Sequence, residues 1–223
     1  NVAFIEIFHS LDLLNFLITK FDPEFPEHDT PQPMMIPEDE DSLNLIPYYL
    51  KIFASYCLFD KELRNYLLAW VLIPNLSFFF DDLENSDLVE QASLFIKNTT
   101  FFSLSYHKNN QTYINSLFVI CADFDSFNSN VKINFLNAFY NILRKEQNIV
   151  CFWAFRFDAF LGGNIHKILE SHVNDKLNHI LLIHMFVILK LLLEIDPTKI
   201  TLNYLDLLMY LCSDNPEKYT IFS

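Results

Sequence analysis

The sequence predicts an all-helical protein, and three observations carry that reading. Apolar residues recur at three- and four-residue spacing through most of the chain. Between residues 175 and 213 two such runs are separated by Asp196-Pro197, a turn too short for anything but antiparallel neighbours. Second, the 223 residues include only 2 glycines, Gly162 and Gly163. Sheet-rich folds need many tight turns and close backbone approaches, which glycine supplies without a Cβ penalty. Third, 52% of the residues are hydrophobic, so a chain of this length can bury a sizeable core. One helical domain over residues 1–223 is the expected organisation. Proteins built from stacked helices usually work by contact rather than by chemistry.

The first helix is expected over residues 2–20, where Ile5, Phe8, Leu11, Leu14 and Leu17 share a face. The composition then changes abruptly. Residues 22–41 hold five prolines and eight carboxylates with no Lys or Arg. Proline removes backbone donors and like charges repel, so an extended acidic loop is expected there. At its centre Met34 and Met35, between Pro33 and Ile36-Pro37, form a candidate docking segment.

Helical runs are then expected at residues 45–58, 61–72, 87–97, 112–123, 131–145, 149–161, 165–173, 175–195 and 200–212. Asp60, Ser86 and Asn130 stand where N-caps belong, each with a side chain able to satisfy orphan amides. Pro74 and Pro197 should end the runs before them, and Gly162-Gly163 should break the chain after Leu161.

Formal net charge is −13, from 28 acidic and 15 basic residues. The basic residues are scattered, with Arg144-Lys145 their only adjacent pair. Binding to nucleic acid by counterion release needs a basic stripe, so direct nucleic-acid binding is not expected. Anionic membrane surfaces are disfavoured for the same reason. The electrostatic complement is a basic protein partner. Residues 180–195 are the most apolar stretch but carry His184, Lys190 and Glu194, so a buried helix is expected rather than a membrane span. Cys57, Cys121, Cys151 and Cys212 lie far apart in apolar runs. Buried free thiols and an intracellular setting, cytoplasmic or nuclear, follow from that spacing. Asn75, Asn98 and Asn110 open Asn-x-Ser/Thr triplets, which an Asn-rich chain produces by chance.

Two stretches carry a family resemblance. Residues 61–76, from Lys61-Glu62-Leu63-Arg64 through Trp70 to Pro74-Asn75-Leu76, pair a long apolar run with a polar turn. Residues 205–216, ending Cys212-Ser213-Asp214-Asn215-Pro216, do the same. In this they resemble armadillo/HEAT-type helical repeats, and the similarity extends over residues 43–223. The small residue that armadillo units place between their first helices is lacking here. The resemblance implies an α-solenoid-like, irregular helical array whose grooves bind peptides or other subunits. An irregular helical bundle is the alternative architecture.

Candidate chemistry is sparse. Phe78-Phe79-Phe80-Asp81-Asp82-Leu83-Glu84 resembles the aspartate-rich motif of terpene synthases and prenyltransferases, which holds Mg²⁺ against a diphosphate. That resemblance implies an all-helical isoprenoid or lipid enzyme using Asp81, Asp82 and Glu84. A second motif sought at residues 174–178 fails, because Asn178 stands where Ser or Thr is required. The bland reading is an acidic turn that caps the next helix. His166, His172, His179 and His184 gather late in the chain, but only His166 and Glu170 have a metal-binding i,i+4 spacing. Neither a metal nor a cofactor is expected.

The aromatic run 152–160 is different. Trp153, Arg156, Phe157 and Phe160 make it either a central core helix or an exposed anchor with a guanidinium among rings. The function expected is therefore that of a non-catalytic scaffold or obligate complex subunit. It would take a partner helix or peptide through Trp153, Arg156, Phe157, Phe160, Met34 and Met35, and the acidic loop would steer or regulate binding.

Overall fold

A computed structural model describes residues 40–101, 110–145, 147–170, 176–195 and 198. The runs expected at 2–20 and 200–212, together with residues 22–39 and hence Met34 and Met35, lie outside the described residues. Within them the protein is all helical, with no strand. Contacts divide the chain into two compact units, Asn1–Asn134 and Phe135–Ser223.

In the first unit, α1 spans Glu40–Tyr56 and begins earlier than its apolar pattern suggests. Glu40 and Asp41, expected to close the acidic loop, lie within this helix instead. Next comes one continuous helical rod: α2 over Lys61–Tyr66, a π-helical segment over Leu67–Leu72, and α3 over Ile73–Asp81. Pro74 does not end this run. A proline ring collides with the carbonyl four residues back in a regular helix, and the wider π turn moves that carbonyl aside. The Ile73 amide accordingly donates to the Leu68 carbonyl, five residues back. Buried Asn75 adds a bond beside the proline, its Nδ2 donating to the Val71 carbonyl at 2.9 Å.

Helix α4 (Ser86–Thr100) is capped by Asn85, whose Oδ1 accepts from the Leu88 amide at 3.2 Å. The expected cap, Ser86, already lies inside the helix. Leu88, Val89, Ala92, Phe95 and Ile96 form the buried face of α4, which packs along α1 with the Phe95 and Phe53 rings 6.3 Å apart. Helix α5 (Asn110–Ile120) buries Tyr113, Ile114 and Leu117, then tightens into a 3₁₀ segment at Cys121–Ser126. Helix α6 spans Ser129–Lys145 and is capped by Asn128, whose Oδ1 accepts from the Val131 amide at 3.0 Å. Asn130, the expected cap, instead donates to Glu90 Oε1 on α4 at 3.0 Å. One turn on, buried Asn134 donates to Ser93 Oγ, and that hydroxyl donates to the Glu90 carbonyl.

The division between the units falls inside α6. In the second unit α7 covers Gln147–Glu170, running straight through Gly162-Gly163 where a break was expected. A glycine inside a helix costs only about 1 kcal/mol. Burial of Ala154, Phe157, Leu161 and Ile165 along one face outweighs that. Helix α8 spans Lys176–Ile195 and packs against α7 through a face that includes Leu181, Met185, Ile188 and Leu192. The Phe139 ring of α6 meets Phe157 and Phe160 edge-on, each with centroids 5.2 Å apart.

Candidate functional site

Two aromatics of the run 152–160 have described side chains. Phe157 is fully buried, and Phe160 is half-buried against Phe139. Arg156 is exposed while Asp158 is buried. Residues two apart on a helix face opposite ways, which places these two on different sides of α7. Trp153 belongs to α7, but its side chain lies outside the described residues.

The acidic turn after α3 is fully described. Asp81, Asp82 and Glu84 are all exposed. Asp82 leaves the helix with φ −107° and ψ 92°, and its Oδ1 accepts the Glu84 amide at 3.0 Å. The next residue, Asn85, caps α4. The carboxylates therefore shape a turn in water. Among the described residues no group of three His, Cys, Asp or Glu side chains is arranged to hold a metal ion.

The remaining chemical candidates are quiet. His184 Nδ1 lies 2.8 Å from the Ile180 carbonyl, which can only accept, so the ring donates to its own helix. His166 is exposed on α7. Cys57 and Cys121 are buried free thiols. Burial pushes both thiols up, and at Cys57 the Arg64 guanidinium offsets only part of that effect. A reactive cysteine needs the opposite shift.

What the surface offers is apolar area. On α8, Ile183 and Val187 are 54% and 43% exposed, one turn apart on the side opposite the buried face. Lys190 and Glu194 continue that line, paired at 3.9 Å, with Leu193 exposed beside them. An i,i+4 pair this exposed contributes little to stability. The outer side thus starts greasy and ends charged. In the first unit Leu45 and Tyr48 stand out from α1, and Leu58 and Phe59 from the turn that follows it. Sequence reasoning did not single out Ile183 or Val187, because α8 is apolar nearly all round and periodicity does not say which side faces water.

By length and composition alone, Leu177–Ile195 is apolar enough to cross a membrane, with mean hydropathy 1.8 and a third of its window buried. Lys190 and Glu194 lie in the last third of that segment, away from the bilayer centre where a charge is most costly. Comparison of the chain with known protein families, with curated proteins and with solved structures finds no match in any of the three.

Proposed function

We propose that this protein is a non-catalytic interaction scaffold, or a subunit of an intracellular multiprotein complex. Its helices form an irregular α-solenoid of the HEAT/armadillo kind and take a partner helix or peptide in an inter-helix groove. The observation that carries this reading is the outward-facing pair Ile183 and Val187 on a helix whose other side is already buried. Large apolar side chains one turn apart are the anchors that helix-in-groove recognition uses. The formal charge of −13 favours a partner with basic flanks, by complementarity of potential. Support for a non-catalytic role comes from the exposed, turn-forming carboxylates at Asp81, Asp82 and Glu84.

The test is affinity capture of the full chain beside an Ile183→Asp/Val187→Asp variant whose circular dichroism and melting temperature match the parent. Selective loss of the co-purifying protein from the variant is the expected result. Equal recovery from both chains would overturn the assignment of this face.

A further inference from the structure

We draw no further inference here: the strongest candidate, the exposed apolar strip of Ile183 and Val187 on the outer side of α8, already carries the proposed function, and nothing in the structure shows what covers it.

Discussion

Asn98 Nδ2 donates a 2.8 Å hydrogen bond to the carbonyl of Ala54, across 44 residues of sequence. The end of α1 explains why that carbonyl is available. Cys57 donates to Phe53, Asp60 to Tyr56, and the Leu58 amide to Ser55, which passes Ala54 over. Ala54 is fully buried, so water does not reach it, and the α4 side chain takes the place of the missing backbone donor. Asn98→Ala should therefore destabilise the protein by about 1–3 kcal/mol, the usual cost of a buried polar group left unsatisfied. Asn98→Asp keeps the shape but turns an acceptor towards an acceptor, and should cost more. Urea denaturation of the three proteins checks the order.

Gly163 points the other way. It lies exposed within α7, and a Cβ built there meets nothing within 4 Å. Gly163→Ala should stabilise by about 0.5–1 kcal/mol, by reducing the freedom of the unfolded chain and improving helix propensity. A raised urea midpoint with an unchanged slope is the expected readout.

Stability should fall on the alkaline side. Burial raises Cys57 and Cys121 above an ordinary value of 9.0, and Tyr56 and Tyr113 above 10.0. At neutral pH these groups are protonated in both states and their contribution is complete. Above their ordinary values the unfolded chain releases protons that the native state retains. Each group then removes up to about 1.4 kcal/mol per pH unit. Lys132 and Arg64, both lowered by burial, act in the opposite sense below 10.5 and 12.5 respectively, but they are two groups against four. Thr99 spends its hydroxyl proton on the Ile96 carbonyl, so Tyr113 is the donor in the 3.4 Å contact between their hydroxyls. Tyr113→Phe should cost about 1 kcal/mol at neutral pH and flatten the alkaline decline. Melting temperatures from neutral pH to about pH 10.5 measure both effects.

Mg²⁺ with inorganic pyrophosphate should leave the melting temperature unchanged, because Asp81, Asp82 and Glu84 face solvent around a turn. A rise that disappears in Asp81→Asn/Asp82→Asn would favour the isoprenoid-enzyme reading instead.

Periodicity was a sound guide to which segments are helical and a poor guide to where they stop. Pro74 and Gly162-Gly163 look like breakers because each is costly in a regular helix. At the first, a π turn removes the clash; at the second, a long buried face outweighs the loss. The caps Asn85 and Asn128 lie one and two residues before the expected Ser86 and Asn130, where either neighbour has suitable chemistry. Asn abundance conceals three buried amides among the described residues, Asn75, Asn98 and Asn134, which hold two carbonyls and a hydroxyl inside the first unit. At the candidate surface, Phe157 and Ile183 look equally apolar in sequence. Only the packing of their neighbours separates the core ring from the exposed side chain.

Asn75 and Asn98 both head triplets that an oligosaccharyltransferase would accept, yet each amide is already committed to a carbonyl in the interior. A sugar attached at Asn98 could not coexist with α4 lying against α1. If the chain were forced through a secretory route, glycan occupancy there would mark molecules caught before they folded, and the fraction modified would time closure of the first unit.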